Sequence, residues 1–338
     1  MSVAPILRSP IAFLLVPQFT VIVLSSAIEP LRIANRYVAR KYEWRLLSLD
    51  GRAVPDDNGI LIQPDARADA EVFPGTLIVC ADIRPERFYD ARLGRWLRRL
   101  DAAGATLGGL DTGCFLLARA GLLKGCRVTL HWEVIDAFRE RFPDVDVHPT
   151  LFEIGSRRLS CAGGTAVLDM MLNAIALDHG PAIAHRVAEH CLHERIRSGA
   201  SLQRMALPMR SGAHHPLLVK ALQRLEEGAA APLSAGPLAG ELGISARHLQ
   251  RLFRTHLGDT PQRYHRRLRL ERARALLRQT DLPVVRVGEA CGYGSAAQFS
   301  RDFRREWGES PGAVRRADAP ASRLIMDRGA MDRDGGRK

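Results

Sequence analysis

The chain has 338 residues, 46% hydrophobic and 25% charged, a globular composition with room for two or three domains, so wholesale disorder is excluded. Its formal net charge of +12 is unevenly placed: residues 213–316 carry eighteen Arg and Lys against ten Asp and Glu, and Lys220 is the one lysine among them. The six cysteines (Cys80, Cys114, Cys126, Cys161, Cys191 and Cys291) form no CxxC pair and no Cys/His metal spacing, so a zinc module and a disulfide framework are both disfavoured, and no metal or cofactor is expected.

Residues 11–28 form an apolar run after Arg8 that imitates a signal peptide or a single membrane span, but Pro17 and Gln18 interrupt it. We read "IAFLLV" as a buried strand and about Val21 to Tyr37 as a helix, and expect a cytoplasmic protein with no membrane partner. Short apolar runs recur as "WRLLSLD" at 44–50, "TLIVCAD" at 76–82 and "ATLGGLD" at 105–111, with helical patterns between them. That alternation predicts an α/β domain with a mainly parallel sheet flanked by helices. "LFEIGSRRLSCAGG" reads as a hairpin passing through Gly163 and Gly164 into the helix "TAVLDMMLNAIALDHG", and "PAIAHRVAEHCLHERIR" as the closing helix.

At Gly109-Leu110-Asp111-Thr112-Gly113 a strand ends sharply and the helix "CFLLARAGLL" begins. In enzymes a Gly-x-nucleophile-x-Gly elbow of this kind raises a reactive side chain above the sheet, beside helix N-terminal amides. Here the slot holds Asp111, and a carboxylate is a poor substitute for a thiolate in attack on an amide. Cys114 stands inside the following helix; an alternative reading, a cysteine-dependent amidase-like hydrolase fused to the basic C-terminal region, needs that thiol to reach the elbow. His131, Trp132 and Glu133 form a compact cluster, although a His-Trp pair alone is more often packing than recognition. His148, His179, His185, His190 and His193 lack a ligand pattern and read as surface or packing residues, and "PDDNG" at 55–59 as ordinary turn chemistry.

Residues 198–215, "SGASLQRMALPMRSGAHH", are polar, glycine-bearing and interrupted by Pro208, as a linker should be. Beyond it one unit is written twice. "LGISARHLQRLFRTHLGDTP", ending at Pro261, returns as "GYGSAAQFSRDFRREWGESP", ending at Pro311. Ser245, Leu249, Arg251, Phe253, Arg254, Gly258 and Pro261 recur fifty residues later as Ser295, Phe299, Arg301, Phe303, Arg304, Gly308 and Pro311. In each copy a glycine-bearing turn and a capping serine introduce a helix with an apolar stripe and a basic face. Any one such helix also reads as an ordinary surface helix; the duplication is what argues for two helix-turn-helix motifs in an all-α C-terminal domain. The outward candidates are Arg247, His248, Gln250, Arg251 and Arg254 in the first copy, and Ala297, Gln298, Arg301, Arg304 and Arg305 in the second. Arginine matches phosphate bidentately and reads guanine edges, so double-stranded DNA is the expected partner. Residues 317–338 are expected to be a disordered tail.

Two resemblances follow from these motifs. Residues 216–316 resemble the DNA-binding domain of AraC/XylS-type transcription regulators. Residues 10–197 resemble the PfpI-like, class I glutamine amidotransferase-like domain found at the front of GlxA-type AraC regulators. The second rests on "AIEPLRIANR" at 27–36, "GGLDTGCFLLARAGLLKG" at 108–125, "TLHWE" at 129–133 and "LSCAGGTAVLDMML" at 159–172. They imply a non-catalytic sensor, a homodimer, promoter binding that commonly activates transcription, and RNA polymerase as a partner. The PfpI-like fold also places a glutamate beside the elbow, which brings Glu29 into the candidate effector site with Asp111, Thr112, Gly113, His131, Trp132 and Glu133. Carboxylates around one crevice favour a cationic effector, with Trp132 adding a cation–π face worth about 0.5 to 2 kcal/mol. An amino acid such as arginine, or a quaternary amine, fits that description.

Overall fold

The computed structural model describes residues 5–70, 73–204, 215–228 and 235–317. It divides into two compact units, Met1–Met205 and Ala206–Lys338.

The first unit runs β1 (Ile11–Leu15), α1 (Val21–Ala34), β2 (Trp44–Ser48), β3 (Val54–Pro55), β4 (Leu61–Ile62), β5 (Ala66–Arg67) and β6 (Thr76–Ala81). It continues through α2 (Ala91–Ala102), β7 (Thr106–Asp111), α3 (Cys114–Arg119), β8 (Arg127–Val128), α4 (Ile135–Arg141), β9 (Asp146–Val147), β10 (Phe152–Ile154), β11 (Arg158–Cys161), α5 (Ala166–His179) and α6 (Pro181–His190). Seven strands form one sheet in the order β10-β11-β7-β6-β1-β2-β5. All neighbours are parallel except β10 and β11. Every residue of β1 is buried, which is why its sequence shows an unbroken apolar run rather than alternation. Ile11, Phe13 and Leu15 pack against α1, α5 and α6, while Ala12 and Leu14 pack against α2, α3 and α4. The result is a three-layer sandwich with a core on each face of the sheet.

Two helix ends differ from expectation, each for a local reason. α1 stops at Ala34 rather than Tyr37, because the Asn35 amide donates to the Tyr42 carbonyl at 2.8 Å and its oxygen accepts from the Tyr42 N–H at 2.7 Å. α6 stops at His190 rather than Arg197. Asp169, wholly buried on α5, accepts from the Arg197 N–H at 2.7 Å, from Arg197 Nε at 2.7 Å and pairs with His193 Nε2 at 2.9 Å, and these contacts hold the chain in a non-helical path. His193 is thus a clasp on a buried carboxylate. The apolar run at 11–28 is divided between β1 and α1, with Gln18 at φ +68° between them. Among the described residues no helix is long and apolar enough to cross a membrane.

The second unit is helical: α7 (Pro216–Glu227), α8 (Ala235–Glu241), α9 (Ala246–Leu257), α10 (Pro261–Gln279), α11 (Val284–Ala290), α12 (Ala296–Trp307) and α13 (Pro311–Ala317). Leu218, Leu222 and Leu225 of α7 share a core with Leu238 of α8, Leu249 and Phe253 of α9 and Tyr264 of α10. Around α12 the rings of Tyr293, Phe299 and Phe303 meet in succession, the first pair tilted and the second edge to face, 5.2 and 5.6 Å apart, and all three are buried.

The linker expected at 198–215 does not begin at 198. Leu151 N–H donates to the carbonyls of both Gly199 and Ser201 at 3.0 Å, and Thr150 bridges to Leu202 in antiparallel fashion, so residues 198–204 are bonded to the first unit. Residues 205–214 of that linker, and 318–338 of the expected tail, lie outside the described residues.

Candidate effector crevice and nucleic-acid interface

Asp111 ends β7 at the carboxyl edge of the parallel sheet, where open α/β folds gather ligands. Its backbone sits at φ +59°, a left-handed conformation that a non-glycine residue adopts at a cost. The flanking glycines make that possible. A Cβ on Gly113 would lie 2.3 Å from the Val79 carbonyl oxygen, and one on Gly109 would lie 2.6 Å from the Cys114 nitrogen. A Cβ on Gly163, at φ +99°, would lie 2.5 Å from Asp111 Oδ2. The sharp elbow read from Gly-x-Asp-x-Gly is therefore present, with a carboxylate at its apex.

Asp111 is 8% exposed. Burial pushes its carboxyl well above the usual carboxylate range, and the charges of Asp82, Glu133 and Asp57 push the same way. These groups come from separate parts of the chain. Asp82 follows β6 and accepts from Thr20 Oγ1 at 3.0 Å, and Asp57 follows β3. Thr112 turns its hydroxyl inward to donate to the Asp82 carbonyl, and Gly113 offers only main chain. His131 is partly buried; burial lowers its pKa while Glu133 acts in the opposite sense. Trp132 is 41% exposed, with the His131 ring 5.5 Å away. Over the Trp132 ring, 4.5 Å from its centroid, lies the guanidinium of Arg204.

Glu29 does not join this group. The inward stripe of α1 is Val23, Leu24, Ala27 and Leu31, which turns Glu29 to solvent, where it pairs with Arg32 at 2.7 Å. The carboxylates acting on Asp111 are instead Asp82, Asp57 and Glu133. Asp57 belongs to the turn read as ordinary; Asp56 carries the turn chemistry there, accepting from the N–H groups of Asn58 and Ile60. Cys114 is fully buried, its sulfur 3.9 Å from the Gly109 carbonyl and 3.8 Å from that of Thr129. Burial raises its thiol far above the ordinary range, the opposite of what a nucleophile needs.

In the second unit α9 and α12 each span twelve residues between matching ends. Ser245 Oγ accepts from the His248 N–H at 3.2 Å and Ser295 Oγ from the Gln298 N–H at 3.4 Å. Gly258 at φ +64° and Gly308 at φ +75° close the two helices in the left-handed conformation. Leu249, Leu252 and Phe253 face inward, leaving Arg247, Gln250, Arg251 and Arg254 exposed and His248 half-buried. In α12, Phe299 and Phe303 face inward, leaving Ala297, Gln298, Arg301, Arg304 and Arg305 exposed, and Arg305 pairs with Asp302 at 3.0 Å. Several arginines of α10 act as clamps. Arg267 reaches Asp259 at 3.4 Å, Arg269 donates to the Cys291 carbonyl at 2.6 Å and covers the Tyr293 ring, and Arg274 covers the Trp307 ring at 4.5 Å. Sequence reasoning assigned that charge to DNA alone; the aromatic and carbonyl partners are visible only once the helices are packed.

The helix-turn-helix domain family matches residues 238–317. Over 313 residues the chain is 45% identical to the HTH-type transcriptional regulator CdhR of Pseudomonas aeruginosa, covering 92% of this chain and 93% of that one. The chain belongs to the AraC-family transcription regulators. This AraC-family regulator is also 37% identical over 309 residues to the HTH-type transcriptional regulator GlxA of Rhizobium meliloti, covering 90% and 95% of the two chains. The first unit's fold is that of a ThiJ/PfpI family protein from Pseudomonas syringae, with a TM-score of 0.50 at 21% identity, covering 64% of this chain and 85% of that one. The regulator is a DNA-binding protein rather than an enzyme, and the sealed environment of Cys114 agrees with that.

Proposed function

We propose that this AraC-family regulator reads double-stranded promoter DNA with α9 and α12, as a homodimeric cytoplasmic activator working with RNA polymerase. A small organic cation, such as an amino acid or a quaternary amine, adjusts its output from the Asp111 crevice. The observation that carries the DNA reading is the pair of equal helices, each with its arginines outward, one before and one after the nineteen-residue α10 in the chain. Nineteen residues rise about 28 Å, close to the ~34 Å turn of B-DNA, so successive major grooves on one side of a duplex are within reach. Arg251 and Arg301 take base edges or phosphates in the two grooves. Binding of Arg251→Ala and Arg301→Ala to operator and random duplexes across a salt series tests this. Loss of specificity at one position marks a base contact, and a flatter salt slope marks a phosphate. Wild-type affinity for both duplexes in both variants would end the proposal.

The effector reading is supported by Asp111, whose buried carboxyl is held among Asp82, Glu133 and Asp57. A cation in the crevice relieves that repulsion, and it shifts the regulator only by the difference of its affinity between two states. Calorimetry with a panel of amino acids and quaternary amines, repeated on Asp111→Ala and Trp132→Ala, tests it. No heat with any of them, or heats indifferent to both substitutions, rejects it.

A further inference from the structure

The segment that leaves the first unit is laced onto the loop that carries His131, Trp132 and Glu133. Gln203 Nε2 donates to the Leu130 carbonyl at 2.7 Å, the Thr150 carbonyl at 2.8 Å and Thr129 Oγ1 at 2.9 Å. Gly199 and Ser201 accept from Leu151, and a Cβ on Gly199 would lie 2.7 Å from the Phe152 carbonyl oxygen. At the end of this strap the Arg204 guanidinium covers the indole of Trp132. A planar cation on an indole face is the interaction that an organic cation would itself make there.

We infer that Arg204 is a built-in competitor for the aromatic wall of the effector crevice, so that an organic cation binds Trp132 by displacing Arg204 and loosening residues 198–204. The inference rests on the cation reading of the Asp111 crevice and adds the ligand's selection and its route of action. A ligand must match a guanidinium on the ring face while offering positive charge to Asp111 and Glu133, which a quaternary ammonium or guanidinium headgroup does and an anion or neutral sugar does not. The route is covalent: the strap runs directly into the connection to the second unit. Seven released residues add up to about 24 Å of extended chain to that connection.

The test uses the full chain and tetramethylammonium chloride, with sodium chloride at matched ionic strength as the control. Calorimetry is run on wild type, Arg204→Ala, Gly199→Ala and Trp132→Ala, and amide hydrogen exchange is followed over residues 198–204 and at Leu151. Removing the competitor in Arg204→Ala is expected to tighten tetramethylammonium binding by about two- to thirty-fold, the range of one cation–π contact. Gly199→Ala, which disturbs the strap without touching either ring partner, should tighten it in the same direction. Trp132→Ala should weaken it by a similar factor. Exchange over 198–204 should quicken on adding tetramethylammonium to wild type and be fast from the outset in Arg204→Ala. Binding indifferent to Arg204, or strap exchange unchanged in the unliganded Arg204→Ala chain, overturns the inference and leaves the cation site standing. No binding in any of the chains overturns the cation site and the inference together.

Discussion

The two units hold their working charges in opposite ways. On α9 and α12 the arginines stand in water, supported by serine caps and an apolar stripe that would fold equally well beneath neutral side chains. At the elbow Asp111 is enclosed, forced into a left-handed backbone and surrounded by its own kind. An exposed charge costs the fold little and acts only when a partner arrives. An enclosed carboxylate burdens the fold continuously, and a ligand that neutralises it returns that stability as affinity.

The contrast can be broken at several points. The largest effect is expected from Gly113→Ala, whose new Cβ meets the Val79 carbonyl. Denaturant unfolding should show about 3 kcal/mol lost by overpacking at the elbow, with DNA affinity of the folded protein unchanged. Arg251→Ala should do the reverse, costing about 1 to 3 kcal/mol of operator affinity while stability moves by no more than about 0.5 kcal/mol. Ser245→Ala and Ser295→Ala should each lower stability of the second unit by about 1 kcal/mol, and by similar amounts, because each serine oxygen accepts from the N–H three residues on. Unequal losses would mean that the copies are not structurally equivalent. The last effect is a slope. Because the folded state raises the Asp111 pKa, it binds that proton more tightly than the unfolded chain, so stability falls as pH rises above the ordinary carboxylate value of about 4. Asp111→Asn should therefore be more stable than wild type at neutral pH, with the difference vanishing in acid. Thermal melts across the pH range read this directly, and a constant difference at every pH would count against the enclosed carboxylate.

What the sequence made legible was local. The apolar runs marked β1, β2, β6 and β7, the five residues at 109–113 marked the elbow, and the fifty-residue offset marked α9 and α12 with their caps. What it hid was tertiary. Asp57 and Asp82 reach Asp111 from different strands, and nothing in their neighbourhoods distinguishes them from turn residues. Glu29 was misplaced because a family motif assigns a residue to a helix without its rotation, and the stripe of α1 turns it outward. The end of α6 depends on Asp169 reaching forward to Arg197, and the strap at 198–204 is held largely through main-chain carbonyls, which have no sequence signature. The arginines of α10 counted in the sequence only toward the basic charge of residues 213–316, until the Tyr293 and Trp307 rings gave some of them a packing role.

The continuity of α10 sets a tolerance as well as a distance. From Gln262 to Gln279 it contains neither glycine nor proline, and side chains along it clamp the flanking turns and α12. A target site lengthened by one base pair would present its far element rotated by about 35° around the duplex axis. The rod has no pivot with which to follow, so the regulator should measure the phase between the two halves of its target as strictly as their letters.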